Sequence, residues 1–155
     1  MELKCRTAVI PGSYDPITLG HIDIIMRSIP MFDKIIIAIG ENSDKKYMFS
    51  LAQRLQWIKE SFEQYENVSV QSYEGLTVDF CKANKAQFIV RGLRNTSDFD
   101  FERNISGLNQ KLNNNIETVF LIASPEYSFI SSTIVREIIK HGGAYAQFIP
   151  SCVKF

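Results

Sequence analysis

Residues 6–21, RTAVIPGSYDPITLGH, set the frame for the whole chain. Thr7, Ala8, Val9 and Ile10 make a short apolar run with β-branched members, which reads as a buried strand. Pro11 and Gly12 are expected to stop it, and Asp15-Pro16 marks a turn, because proline pushes the preceding residue out of the helical region. Thr18 suits a helix N-cap, and Ile22, Ile25, Met26 and Ile29 fall on one helical face. Strand, glycine-bearing loop and helix start follow in that order. The order aims free backbone N–H groups and the positive end of a helix dipole at the loop, which makes an anion site. Gly20, in the first helical turn, costs about 1 kcal/mol against alanine, a reasonable expense where a ligand approaches the backbone. His21, at the third helical position, can reach the same anion. Neither G-x-x-x-x-G-K-S/T nor G-x-G-x-x-G occurs, so the loop is neither a Walker loop nor a dinucleotide fingerprint.

Outward from this stretch the pattern repeats. Residues 34–39, KIIIAI, form a continuous apolar strand of the kind buried on both faces of a parallel sheet. A polar loop over 40–49 carries Lys45 and Lys46. Ser50 and Gln53 form a capping-box pair that opens a helix, with Leu51, Leu55, Ile58 and Phe62 as its buried face. A weaker strand over 68–73 ends at Gly75, and a short helix is expected over 77–84. Residues 88–90 give the next strand, which runs into the loop Arg91-Gly92-Leu93-Arg94. A helix over 98–112 places Phe101, Ile105, Leu108 and Leu112 on one side. A strand over 118–122, a loop over 123–130 and a helix over 131–141 closed by Gly142-Gly143 complete the order. Strand and helix alternate throughout, which predicts an α/β fold: a doubly wound, mostly parallel five-stranded sheet with helices on both faces. Ligands in such a sheet collect at the carboxyl ends of the strands.

Bulk properties narrow the function classes. With 155 residues, one domain is expected, and roughly 68–70% of the unfolded surface can be buried. The formal net charge is zero, which argues against a nucleic-acid partner. Cys5, Cys81 and Cys152 are odd in number and lie outside any C-x-x-C pair, so neither a disulfide framework nor a metal site is expected and a cytoplasmic home follows. The stretch MELKCRTAV lacks the apolar core of a signal peptide, and no apolar run approaches the ~18 residues that span a membrane.

Four loops at strand ends carry the chemistry: 12–21, 42–46, 91–94 and 126–133. Together they offer His21, Lys45, Arg91 and Arg94 with the hydroxyls of Ser13, Thr18, Ser131, Ser132 and Thr133, a set suited to a polyphosphate. Singly, each has a plainer explanation. Lys45 and Lys46 read as a solvated pair, Arg91 and Arg94 as surface partners of Asp98 and Asp100, and Glu102 as a helix-surface charge. The serines read as an N-cap, His141 as a contact with a helix C-terminus, and Cys81 as a small buried apolar residue.

Taken together, Gly12-Ser13-Tyr14-Asp15-Pro16 with Thr18-Leu19-Gly20-His21 resembles the signature of the nucleotidylyltransferase superfamily, where a T/H-x-G-H loop holds the phosphates of a nucleoside triphosphate. Ile130-Ser131-Ser132-Thr133-Ile134-Val135-Arg136 is similar to that superfamily's second signature, which holds the triphosphate from the other side. Within the superfamily, P-G-S-Y-D-P-I-T-x-G-H-x-D, N-S-x-K-K, R-G-L-R and S-F-I-S-S-T resemble the phosphopantetheine adenylyltransferase family across nearly the whole chain.

That resemblance implies a single nucleotidylyltransferase domain over 1–155, with ATP and 4'-phosphopantetheine as substrates and Mg2+ accompanying the ATP. It implies that His21, Lys45 and Arg91 act in catalysis. Tyr14, His21, Gly92, Leu93, Arg94, Glu102, Tyr127, Ser128, Phe129, Ile130, Ser131, Ser132 and Thr133 would bind ATP. Lys45, Leu76, Thr77, Arg91 and Asn109 would bind phosphopantetheine, and Ser13 would touch both. It further implies a homohexamer, for which the apolar tail offers surface. Three positions depart from the family's frequent choices: Ser13 for threonine, Phe101 for tyrosine and Tyr127 for tryptophan. Phe101 brings no hydroxyl. Rival readings are a pyridine mononucleotide adenylyltransferase, a cytidylyltransferase or a non-catalytic nucleotide sensor. The sensor would have no use for Lys45, Thr77 and Asn109.

Overall fold

The strand at the head of the quoted stretch is the centre of the sheet. In the computed structural model, which describes residues 5–155, β1 (Thr7–Gly12) lies between β2 (Lys34–Glu41) and β4 (Phe88–Leu93). β3 (Val68–Glu74) and β5 (Glu117–Ile122) flank them, giving a five-stranded, all-parallel sheet in the order β3-β2-β1-β4-β5. This is the doubly wound α/β architecture read from the alternation. Residues 1–4, the beginning of the stretch examined for a leader, lie outside the described residues. Among the described residues no helix is long and apolar enough to cross a membrane.

The two faces of the sheet are covered unequally. Side chains alternate along each strand, so Ala8, Ile10, Ile35, Ile37, Ile39 and Val90 point to one face and Val9, Ile36, Ala38 and Ile89 to the other. The first face packs against α1 (Leu19–Ser28), α2 (Leu51–Phe62), α5 (Ser132–Lys140) and the tail, through Ile24, Ile25, Trp57, Ile58, Phe62, Val135, Ile149 and Val153. On the second face, α3 (Thr77–Ala83) contributes Val78 and Cys81 to a smaller cluster. Cys81 is buried, and that burial pushes its thiol up to about 12. Beside it runs α4 (Thr96–Leu112), in which only Glu102 is buried.

Several sequence-based boundaries move. β1 does not stop at Pro11 but continues through Gly12, paired with Ala38 and Ile39. Its pairing with β4 covers Ala8 and Val9, so at Pro11 only the β2 edge is laddered and a residue without an N–H is tolerated. Arg91, Gly92 and Leu93 belong to β4 rather than to a loop. α4 begins at Thr96 because Asn95 caps it, its side chain accepting from the Asp98 N–H at 2.9 Å. In α1 the buried residues are Ile24, Ile25 and Ser28, while Met26 faces solvent. In α2 they are Arg54, Trp57, Ile58 and Phe62, with Leu51 and Leu55 at the margin. The apolar side of α4 is uncovered: Phe101, Leu108 and Leu112 are 64%, 61% and 62% exposed. The tail, by contrast, is used internally, with Ile149 and Val153 buried and Phe155 against Phe49 and Tyr145.

Candidate active site

All strands run the same way, so the four polar loops emerge at one edge, and β1 lies where the strand order reverses. Packing sets the position of α1 there. A Cβ on Gly92 would lie 2.8 Å from Cγ1 of Ile24, so only glycine lets α1 settle on the end of β4. Thr18 and His21 then close a capping box. The Thr18 hydroxyl lies 3.4 Å from the His21 N–H, and the Thr18 N–H donates to His21 Nδ1 at 3.0 Å. With Nδ1 accepting, the ring proton sits on Nε2. Burial lowers the histidine pKa to about 4, and the charges of Arg91 and Arg94 push the same way. His21 is therefore a neutral imidazole at pH 7.

Tyr14 takes a left-handed backbone (φ 49°), held by its hydroxyl donating to the Ile10 carbonyl at 2.8 Å and by its ring packing 4.9 Å from that of His21. Ser132 donates to the Pro16 carbonyl at 2.8 Å, and Arg136 donates to the Asp15 carbonyl at 2.7 Å. These bonds bring the start of α5, capped by Ser131, against the start of α1. Two helix N-termini thus face one cleft. Gly20 fits this arrangement, because its Cα faces the carbonyls of Tyr127 and Ile130, 3.7 Å from where a Cβ would stand. What comes close to Gly20 in the structure is the 127–130 backbone.

Three clefts meet at Ser13. The first, about 660 Å³, holds Ser13, Tyr14, Thr18, Gly20, His21, Lys45, Arg91, Gly92, Arg94, Glu102, Tyr127, Ile130, Ser131, Ser132 and Thr133. The second, about 360 Å³, lies between the sheet and α4 and holds Ser13, Thr77, Arg91, Phe101, Glu102 and Asn109. The third holds Ser13, Lys45 and Leu76. The side chains of Leu93, Ser128 and Phe129 are not brought to these clefts. Leu93 is buried with its carbonyl accepting from Ala123, Ser128 bonds the Pro125 carbonyl, and Phe129 is exposed.

The plainer single-residue explanations divide. Lys45 and Lys46 are indeed exposed, and Arg94 does pair with Asp98, at 2.9 and 3.0 Å. Glu102 is not a surface charge. It is buried and takes Nε and Nη2 of Arg91 at 3.0 and 2.6 Å, while Arg91 Nη1 donates to the Pro11 carbonyl. Burial alone would lower the Arg91 pKa, but the bonds to Glu102 and its charge outweigh that and raise it. The Arg91–Glu102 pair forms the wall shared by the first two clefts.

Sequence reasoning missed Asp15 and Arg54 as working residues. The buried Asp15 carboxylate accepts from the N–H groups of Met48 and Phe49, both at 2.9 Å. Arg54, 2% exposed, donates to the carbonyls of Phe49 and Ser13. A signal existed: Arg54 stands three residues from Leu51 and four from Ile58, on the apolar stripe of α2, where a charge needs an internal partner.

The chain matches the cytidylyltransferase-like family over residues 9–138. It is 56% identical to the phosphopantetheine adenylyltransferase of Flavobacterium johnsoniae over 149 residues, covering 96% of this chain and 97% of that one. It is 47% identical to that of Carboxydothermus hydrogenoformans over 149 residues, covering 96% of this chain and 92% of that one. Among solved structures it resembles a bifunctional NMN adenylyltransferase/ADP ribose pyrophosphatase from Francisella tularensis, with a TM-score of 0.72 and 17% identity over 96% of this chain and 45% of that one. At that identity the likeness concerns the fold alone.

Proposed function

Because the chain belongs to the cytidylyltransferase-like family and, within it, to the phosphopantetheine adenylyltransferases, we propose that it transfers the adenylyl group of ATP to 4'-phosphopantetheine, giving dephospho-coenzyme A and pyrophosphate. The observation that supports this reading best is the meeting of the clefts at Ser13. One carries two helix N-termini, His21 and Arg94, as a triphosphate requires. Another carries Thr77 and Asn109, and Arg91 stands in the wall between them.

A phosphate oxygen of phosphopantetheine attacks the α-phosphorus of ATP, the bond to the β-phosphate oxygen breaks, and pyrophosphate leaves. The second pKa of a phosphomonoester is about 6, so the nucleophile is ionised at pH 7 and no side chain need take a proton. His21 fits the remaining task. Its Nδ1 is occupied by the Thr18 N–H, and the proton on Nε2 makes it a donor to the reacting phosphate rather than a base. Lys45 adds positive charge at the junction, and Arg91, held by Glu102, lines it. Magnesium would enter with ATP and be held mainly by phosphate and water, since Glu102 and Asp98 are engaged by Arg91 and Arg94.

In our reading the 155 residues act as one domain in the cytoplasm and assemble as a homohexamer. The surface that favours assembly is the apolar side of α4, a larger uncovered patch than the tail first suggested. The reaction is tested by pyrophosphate release from MgATP. We expect release that depends on 4'-phosphopantetheine, with nicotinamide mononucleotide and glycerol 3-phosphate failing to replace it. Turnover with nicotinamide mononucleotide and none with phosphopantetheine overturns the assignment.

A further inference from the structure

Arg54 is a buried cation with no carboxylate bonded to it among the described residues, and its surroundings show what it holds. Its Nη1 donates to the Ser13 carbonyl at 2.8 Å and its Nε to the Phe49 carbonyl at 3.2 Å, while its guanidinium lies 4.1 Å over the Tyr47 ring. The Tyr47 hydroxyl in turn reaches back to the base of the same loop, contacting the Gly40 carbonyl and the Asn42 N–H at 3.4 and 3.3 Å. Asp15 completes the lacing by taking the Met48 and Phe49 N–H groups. Both ends of the loop that carries Lys45 are thus gathered at one guanidinium and tied to Ser13, where the clefts meet. Lys45 itself sits at the exposed tip, its N–H donating to the Asn42 carbonyl at 3.0 Å.

We propose that Arg54 is the positioning residue for Lys45. It locks the base of the 40–49 loop to the Ser13 turn, so that the Lys45 ammonium projects between the first and third clefts. This rests on the reading of Lys45 as a phosphate-binding group in adenylyl transfer. Arg54 suits the role because a planar guanidinium can bond two carbonyls in different directions while stacking on a ring, which an ammonium cannot do. The cost of burying the charge is offset only while all three contacts are made, so the loop has one favoured placement.

The test is a double-mutant cycle on the full-length enzyme with MgATP and 4'-phosphopantetheine. Lys45→Ala alone tests the underlying reading: unchanged turnover there removes the role of Lys45, whatever Arg54 does. Given an impaired Lys45→Ala, we expect Arg54→Met to lower kcat by about 10²-fold, the scale of misplacing a group by an ångström. KM for ATP should change little, because the two helix N-termini bind its phosphates independently of this loop. Arg54→Lys, which keeps one carbonyl bond, should recover part of the loss. In the Lys45→Ala background, Arg54→Met should cost less than about threefold, because the group it positions is already gone. Equal losses in both backgrounds, or full activity of Arg54→Met, overturn the proposal. Phe62→Leu, buried at the far end of α2, is the stability control and should retain wild-type kcat. If Arg54→Met fails to fold, Tyr47→Leu removes the stacking and the contacts with Gly40 and Asn42. The same loss of kcat and the same coupling to Lys45 are then expected, and their absence counts against the proposal equally.

Discussion

The two faces of the sheet carry different work. On the α1, α2 and α5 face, strands and helices bury a continuous core that reaches from Ile35 to Val153. On the α3 and α4 face, the buried cluster is small, and the longest helix of the described chain keeps Phe101, Leu108 and Leu112 in solvent. The thick face fixes where α1 and α5 begin, and hence where their N-terminal N–H groups point. The thin face leaves a cleft against the sheet and an exposed apolar surface on α4.

One substitution on each face separates the two most widely. Trp57→Ala, on the thick face, should cost about 3–5 kcal/mol in urea unfolding. Leu108→Glu, on α4, should leave far-UV and near-UV circular dichroism intact while lowering the assembly mass seen by light scattering. Loss of the fold in the α4 variant with an unchanged fold in the Trp57 variant would reverse the assignment of the faces.

Next in size is His21, at the end of the thick face. His21→Ala should lower kcat at least ~10²-fold, or about 2.7–4 kcal/mol of transition-state stabilisation, with the fold retained. Its depressed pKa also has a sign in stability. As pH falls from about 6.5 to about 4, the unfolded chain takes up a proton that folded His21 refuses, so the native state loses stability through that window. His21→Gln should flatten this part of the stability curve. An identical slope in both proteins would place the histidine pKa near its ordinary value.

The smallest effect belongs to the thin face. Phe101 lines two clefts without a hydroxyl. Phe101→Tyr adds one, and a new hydrogen bond to substrate should lower KM for phosphopantetheine by roughly 5-fold at most, about 1 kcal/mol. A change of 100-fold would mean that the thin face is far more rigid than its exposure implies.

Legibility in the sequence follows the same division. The sheet could be read because β1 and β2 are buried on both faces and show it as unbroken apolar runs. That Ser13, His21, Arg91 and Thr133 line one cleft could be read because they lie in short motifs at strand ends. Arg54 and Asp15 are harder: the apolar stripe of α2 shows that Arg54 needs an internal partner, but residue type does not announce the Ser13 carbonyl or, for Asp15, the distant Met48 and Phe49 N–H groups. Glu102 taken alone reads as a helix-surface charge, with the apolar side of α4 as the side to bury. In the structure that apolar side is open, and the buried position is held by the bond to Arg91. The boundary errors at Pro11 and Arg91 share a cause: proline and glycine were read as breaks, where parallel pairing carries the strand on.

The proposed mechanism has the substrate phosphate attack already ionised, with no side chain taking its proton. It is tested most directly by kcat/KM for phosphopantetheine from about pH 5 to 8, in the wild-type enzyme and in His21→Gln, since this ratio reports free enzyme and free substrate. With His21 held near 4, an acid limb at about 6 belongs to the substrate phosphate. This limb should persist in His21→Gln at a much lower rate, and move to lower pH in both proteins with a phosphate analogue of lower second pKa. A limb that vanishes in His21→Gln and ignores the analogue would make His21 a general base and overturn this mechanism.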